Sequence, residues 1–429
     1  MDGRLPGVDD GSPEQVICHV DMDCFYAACE RLREPALEGE PLVVGMGYES
    51  GETHGAVATA SYEAREFGVE SAMAISQALD LLPRKVDAVD DPEIDPEVAG
   101  FYRTVDLDYY ESVASEVKEI LHDTADTVRE VSIDEAYLDV TGTVDWESAR
   151  EFGQELKDRI EDEVGVVASV GVAPTMSAAK IASDHDKPDG LVVVEPGDVR
   201  DFLAALDVAE VHNVGPVTAR ELRSMGVETA GDLADTDPER LEDRFGERGR
   251  EIWSYARGED DRPVEPVGKP KSLSRESAFT EATDDGEHKR ERVRALAGDV
   301  AERASSKDAL YRTIGIKVVT PPFDVHTRAK SLPGPVEDAD LVEEVALDLL
   351  TEFRDDEVRK VGVRVSNLDF SDAQQASLDG FEGASAGDAG AGRRENHSLG
   401  EFEDGRTERE DTGEETLGSR GQTSLGEFE

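Results

Sequence analysis

The chain has 429 residues, with 45 Lys and Arg against 99 Asp and Glu and a formal net charge of -54, a length that predicts about three domains rather than one core. No run approaches the ~20 apolar residues that cross a bilayer, the start carries no apolar leader, and Cys18, Cys24 and Cys29 lack metal-type CxxC spacing, which excludes a membrane span, a secretory signal and a disulfide framework and predicts a reduced, cytoplasmic protein. So negative a charge argues by itself against nucleic acid, whose phosphates must be met by Lys and Arg, unless the protein works near ~1 M salt, where the Debye length shrinks to about 3 Å and surface charge is mostly screened.

In chain order, the polar residues 1–15 read as a disordered extension, Val16 to Met22 as a strand and Phe25 to Arg33 as the helix after it. Gly55 to Ala60 is a strand, followed by a helix with Ser61 as N-cap and Gly68 as stop. Helical spacing recurs over Tyr102 to Leu121 and Trp146 to Val164, while Val128 to Ile133 and Ala136 to Val140 read as a hairpin. Val199 to Arg257 breaks into short helices between Gly and Pro, a small all-α domain. The polar, proline-bearing stretch Gly258 to Pro270 reads as a linker. Beyond it come strand Ser272 to Phe279, helix Lys289 to Ser305, strands Tyr311 to Val319 and Asp324 to Lys330, helix Leu341 to Phe353 and strand Val358 to Val365. That β-α-β-β-α-β order is a split βαβ sandwich. Past Asp372 the composition of Gly, Ser, Asp and Glu cannot support a core, so 372–429 reads as a disordered acidic tail. The whole is an α+β multidomain chain.

Asp21 and Asp23 stand two apart at the end of an apolar strand, which puts both on one face. Asp134 and Glu135, in SIDEA, fall where one hairpin strand passes to the next and can converge on the first pair. Clustered carboxylates repel and raise one another's pKa unless a cation offsets them, and hard oxygen donors of this kind suit Mg²⁺. Two such ions can stabilise the attacking and leaving oxygens of a phosphoryl displacement. Strand-end acids in an acid-rich chain are the bland alternative.

Asp21 to Glu30 (DMDCFYAACE) is similar to the first motif of the Y-family, lesion-bypass DNA polymerases of the polymerase IV type, and Ser132 to Ala136 to their third. Gly55 to Val69 (GAVATASYEAREFGV) and Met176 to Gly190 (MSAAKIASDHDKPDG) resemble further family motifs in the right order, and the acid-rich, Arg-biased composition resembles that of salt-adapted, haloarchaeal-like proteins. The resemblance implies a right-hand polymerase: palm 16–31 and 90–190, fingers 32–89, helix-hairpin-helix thumb 191–257, linker 258–270 and little finger 271–371. It implies template-directed, low-fidelity synthesis past lesions without proofreading. Asp21, Asp134 and Glu135 become the catalytic metal ligands, with the Met22 carbonyl, for two Mg²⁺ ions; Asp23 is the weaker candidate. Tyr26 falls at the steric gate against ribonucleotides, Thr59, Tyr62, Arg65 and Lys180 at the triphosphate, and Ala72 and Met73 at the roof of the nascent pair. A palm-type nucleotide cyclase and a catalytically silent DNA-binding scaffold are the rival classes; the later domains disfavour the first and the intact carboxylates the second.

Val211 to Gly226 (VHNVGPVTARELRSMG) resembles a helix-hairpin-helix, which grips phosphate through backbone N–H groups, with Val214 and Gly215 at the turn. Asn213 replaces the first hairpin glycine and tolerates a left-handed backbone, while Pro216 removes a donor. The basic residues Lys269, Lys271, Arg275, Arg312, Lys317, Arg328 and Lys330 concentrate in little-finger strands, and Lys271, Arg275, Arg328 and Lys330 are taken as DNA contacts. In the tail QASLDGFE, NHSLGEFE and QTSLGEFE recur from Gln375, Asn396 and Gln422, each aligning an amide, a Leu and a Phe at three-residue steps. The pattern resembles the box by which polymerases dock on a sliding clamp, with Gln422, Leu425 and Phe428 as its best copy and Glu429 in place of a second aromatic. The expected partners are primer-template DNA, deoxynucleoside triphosphates and the clamp, with no membrane and a monomeric chain.

Overall fold

The computed structural model describes residues 15–49, 51–89 and 91–370, and the chain divides between Pro270 and Lys271 into two units. The tail, with its clamp-binding-like repeats, and the extension before residue 15 lie outside the described residues.

In the first unit the elements are β1 (Ile17–Met22), α1 (Phe25–Arg33), β2 (Leu42–Gly45), β3 (Val57–Ala60), α2 (Tyr62–Glu66), α3 (Ile75–Leu81), β4 (Phe101–Thr104), α4 (Leu107–Thr124), β5 (Thr127–Glu130), β6 (Glu135–Asp139), α5 (Ala149–Val164), β7 (Ala168–Ala173), α6 (Met176–His185) and β8 (Leu191–Val193). The five-stranded sheet runs β5-β6-β1-β7-β8. β1 is its central strand, buried at all six positions, with Cys18, Val20 and Met22 apolar on one face and His19 and Asp21 following Ile17 on the other. α6 lies flat on β7 because Gly171 has no side chain: a Cβ there would meet the backbone of Ala179 and Ser183. Thr175 caps the same helix by accepting from the Ala178 N–H. These two features set the height of Lys180 above the sheet.

A second sheet runs β3-β2-β4, with β4 parallel to β2. Its third strand corrects two expectations. Tyr102 to Thr104 is strand, not the first turn of a helix, and α4 begins only at Leu107, after Asp106 caps it by accepting from the Tyr109 N–H. The three-stranded sheet thus takes a strand from beyond residue 90, where the sequence reading placed a domain boundary. At the other end, Leu191–Val193 pairs in parallel with β7 and so joins the five-stranded sheet, although the sequence reading began the next domain at residue 191.

Short helices follow: α7 (Val199–Ala204), α8 (Pro216–Ser224), α9 (Ala230–Asp235), α10 (Pro238–Phe245) and α11 (Glu247–Ala256). All but α7 pack on one small core that includes Val211, Leu222, Leu233, Leu241 and Ile252. The segment after α11 has no regular structure, yet its first half is docked. Asp260 is buried and accepts from the Ser177 N–H at 3.0 Å, Arg262 forks the same carboxylate at 2.8 and 2.9 Å, and Val264 packs in the cluster of Ile17, Tyr137 and Met176.

The second unit contains β9 (Ser272–Thr283), α12 (Gly286–Ser306), β10 (Leu310–Thr320), β11 (Asp324–Val336), α13 (Ala339–Leu350) and β12 (Val358–Asp369), the β-α-β-β-α-β order read from the sequence. Its antiparallel sheet runs β11-β10-β12-β9. Ile314, Ile316 and Val318 of β10 and Val361, Val363 and Val365 of β12 face both helices. Full burial of each such side chain contributes roughly 1.5–3 kcal/mol.

Candidate active site

β1 brings the acids together. Asp21 stands opposite Glu135 of β6 and Ser169 of β7, and directly opposed antiparallel residues project from the same face about 5 Å apart. The Met22 N–H donates to the Asp134 carbonyl at 2.9 Å, holding the turn before β6 against the end of β1. Ser132 shapes that turn: its hydroxyl donates to Asp134 Oδ1 at 2.5 Å and accepts from the backbone N–H groups of Asp134 and Glu135. All three acids named from the sequence therefore meet at one strand edge.

Asp23 is engaged differently. Its carboxylate accepts from Tyr62, from Ser169 and from the Asp189 N–H at 2.7–3.0 Å, which ties α2, β7 and the loop after α6 to one buried anion. With those donors satisfied it has little capacity left for a metal, in keeping with its weaker candidacy.

Two lysines neutralise the cluster. Lys180 Nζ lies 2.6 Å from Asp21 Oδ2, 2.9 Å from Glu135 Oε2 and 3.3 Å from Asp184 Oδ1, and Lys187 Nζ lies 2.7 Å from Asp21 Oδ1. Burial works against the Lys180 charge, but Asp21, Glu135 and Asp184 outweigh it and hold the ammonium above its ordinary pKa. Burial likewise opposes the Asp21 charge, and Lys180 with Lys187 pulls that carboxyl below its usual range. Asp134 and Glu135 go the other way: burial raises both, and Lys180 only partly offsets it at Glu135. Lys187 was not singled out in the sequence, although it sits inside the fourth motif.

Among the described residues no three His, Cys, Asp or Glu side chains form a ready-made metal cage; here the acids grip Lys180 and Ser132 instead. The donor set nevertheless fits hard divalent cations. It is all oxygen, and two of its carboxyls are pushed toward protonation by burial, which a bound dication reverses.

Tyr26 of α1 stacks on Tyr110 with ring centroids 4.6 Å apart. Its hydroxyl is raised by burial and then by the nearby Asp134 charge, so the ring borders the acidic cluster. Tyr62 and Arg65 stand together on α2, the guanidinium 4.8 Å from the Tyr62 ring and bonded to the Ala60 carbonyl; Thr59 lies just before them on β3. Ala72, at φ 66°, is a non-glycine residue in the left-handed region, and its N–H donates to the Val57 carbonyl at 2.8 Å.

A cleft of about 500 Å³ runs between α6 and the hairpin turn, lined by Lys180, Asp184, His212, Asn213, Gly215 and Arg248. Asn213 takes the left-handed conformation its residue type suggested, at φ 67°. Gly215 caps α8 and Pro216 fills its first position, where an N–H has no helical partner anyway. Arg248 donates to the Asn213 carbonyl at 2.7 Å.

The basic residues of the second unit divide by face, a division the sequence reading did not make. Arg275 pairs with Val363, Arg328 with Ile316 and Lys330 with Ile314, so all three lie on the helix-bearing side of edge strands. Arg328 is committed to Glu352 and stacks on Phe353. The open face carries Lys317, Lys360 and Arg364 instead, among Ser274, Thr313, Gly315, Thr327, Ala329 and Gly362. Lys360 and Arg364 went unremarked in the sequence, yet strict alternation with Val361, Val363 and Val365 assigns them to that face. Lys271 is exposed just before β9.

Residues 20–184 match the impB/mucB/samB family, 196–227 its helix-hairpin-helix motif and 270–378 its C-terminal domain. The chain is 63% identical to DNA polymerase IV of Halobacterium salinarum over 90% of its own length and 93% of that protein, and 39% identical to DNA polymerase IV of Methanoculleus marisnigri over 86% and 98%. Among solved structures it resembles a Y-family DNA polymerase chimera at 29% identity, covering 82% of this chain and 99% of that one with a TM-score of 0.72. An insertion ternary complex of Dbh DNA polymerase matches with the same identity and coverage at a TM-score of 0.58.

Proposed function

The chain belongs to the impB/mucB/samB family of Y-family DNA polymerases, and from that premise we propose that Asp21, Asp134 and Glu135 extend a primer 3′ end by nucleotidyl transfer opposite intact or damaged template. It is a DNA-directed, lesion-bypass DNA polymerase of a metal-dependent family. The observation that supports the site most is the register of Asp21 against Glu135, with the Asp134 carbonyl tied to Met22.

Asp21, Asp134, Glu135 and the Met22 carbonyl would hold two Mg²⁺ ions, which when bound stabilise the charge developing on the attacking and leaving oxygens. The protein groups supply the rest. Lys180, exchanged off Asp21 and Glu135, turns to the triphosphate as a point charge, while Arg65 offers a planar fork and Thr59 and Tyr62 offer hydroxyls. Tyr26, braced by Tyr110, forms a floor under the sugar that a 2′-hydroxyl would strike. Ala72 and Met73 leave room above the base pair, which favours damaged bases and lowers fidelity, and synthesis proceeds without proofreading.

Backbone N–H groups at Val214, Gly215 and the start of α8 grip primer-template phosphate, joined by Lys271 and the open-face residues Lys317, Lys360 and Arg364. The terminal Gln422, Leu425 and Phe428 dock on a sliding clamp, a tether that raises effective concentration at the DNA. The enzyme acts as a monomer in the cytoplasm; no helix among the described residues is long and apolar enough to cross a membrane.

Primer extension on undamaged and lesion-bearing templates across KCl concentrations tests the reading. Extension past the lesion is expected; products confined to cyclic nucleotides, or none, would overturn it. For the tail, calorimetry at high salt should show weaker clamp affinity after deletion of 422–429, and unchanged affinity with all three repeats removed would assign the tail another purpose.

A further inference from the structure

Among the described residues, the registered positions of the second unit's open face include one acid. Glu276 of β9 stands opposite Gly362 of β12, which in turn stands opposite Lys317 of β10. With glycine between them, the Glu276 carboxylate reaches across β12. Its Oε1 lies 2.9 Å from Lys317 Nζ, and its Oε2 contacts Lys360 Nζ. The carboxylate side chain is only 12% exposed. A Cβ at residue 362 would collide with the Glu276 side chain, so Gly362 leaves the path open for this bridge. Two of the three cations on the face are therefore already paired, while Arg364 extends to the Ser272 hydroxyl.

A phosphate approaching Lys317 or Lys360 competes with that carboxylate. We propose that Glu276 is an internal counter-ion of the DNA-binding face, which restrains phosphate binding by Lys317 and Lys360 and flattens the salt dependence of DNA affinity. The inference rests on the reading that this open face meets DNA. Its physical basis is ion counting: log affinity falls with log salt in proportion to the number of phosphates neutralised, and an anion fixed on the face subtracts from that number. A lysine leaving Glu276 for a phosphate also leaves a carboxylate to recruit a solvent cation, which opposes the cation release from DNA.

The test is fluorescence anisotropy of a labelled primer-template duplex with the full chain, titrated over the KCl range in which circular dichroism shows the fold intact. Glu276→Gln keeps the side chain's shape and removes the charge, so its slope of log affinity against log KCl should steepen by about 0.9, one phosphate's worth. Relative to the parent, affinity then rises about eightfold for each tenfold dilution of salt. Glu276→Thr, an uncharged strand former, should give the same change and covers the case in which the Gln variant folds poorly. Arg364→Gln, measured alongside, should flatten the slope. If Arg364→Gln flattens it and both Glu276 variants match the parent, the counter-ion role is overturned and the DNA-facing sheet stands. If Arg364→Gln also leaves the slope unchanged, the DNA-facing reading falls too.

Discussion

Asp134 is the residue on which the proposed chemistry is most exposed to test. Among the described residues its carboxylate is bonded to Ser132 and forms no ion pair, while Lys180 pairs with Asp21 and Glu135. Asp134→Asn should therefore preserve the fold and DNA affinity yet lower primer extension at least about a thousandfold, the scale on which lost transition-state charge stabilisation registers. Near-normal turnover would contradict the assignment. Tyr26→Ala leaves Tyr110 to hold the neighbouring core and opens the space under the sugar. Discrimination against ribonucleotides should drop by roughly a hundredfold, the reach of a steric pocket facing one extra hydroxyl, read from competing incorporation of the two sugars. These positions were legible in the sequence because the acids and the tyrosine lie in short contiguous motifs that fix their register. The pairing of Lys180 and Lys187 with Asp21 was not, since it joins residues far apart in the chain and depends on how closely α6 sits on Gly171.

Elements were legible to the extent that their periodicity was unambiguous. The β-α-β-β-α-β order of the second unit emerged intact because its strands alternate and its helices are long. Tyr102 to Thr104 was misjudged because an aromatic three residues before Val105 imitates a helical stripe; the stronger signal was Asp106, a helix cap. Arg275, Arg328 and Lys330 were grouped by composition, which does not tell the two faces of an edge strand apart. At the hairpin, Gly215 has an ordinary negative φ of -79° and open space where a Cβ would go. Neither backbone strain nor packing demands glycine there, so the requirement belongs to what approaches the turn. Gly215→Ala should melt at the parental temperature but bind primer-template about fivefold more weakly, the cost of about one net hydrogen bond, by anisotropy. Equal affinity would remove the turn from the DNA interface. The docked Asp260 gives a stability counterpart. Burial opposes its charge, but Arg262 outweighs burial and holds its carboxyl below the ordinary range. A depressed folded-state pKa contributes stability that is complete above the unfolded value of about 3.9 and is lost as pH falls through the folded one. Asp260→Asn should thus destabilise the chain by about 1–2 kcal/mol at neutral pH, and the difference should shrink in acid; a constant difference down to pH 2 would contradict the pairing.

Over the whole molecule the charge of -54 governs the working conditions. Self-repulsion destabilises a compact state of high net charge, and molar salt screens it over about 3 Å. Folding by circular dichroism and primer extension should both peak near molar KCl and fail together on dilution; an activity maximum at low salt with structure intact would contradict salt adaptation. Composition made this plain, whereas the path of the chain between the two units was hidden in a stretch that looked uniformly loose. Asp260, Arg262 and Val264 are anchored to Ser177, Tyr255 and the Ile17 cluster, so the docked stretch runs at least to Val264, well past Gly258. For anyone exchanging C-terminal modules between relatives, that places the splice. A junction after Val264 keeps the first unit's plug in its own socket. A junction at Gly258, where composition first turns loose, would hand the recipient a foreign plug, take the Asp260 carboxylate from the Ser177 N–H in the first turn of the helix that bears Lys180, and produce hybrids whose lost activity reflects a bad cut, not an incompatible partner.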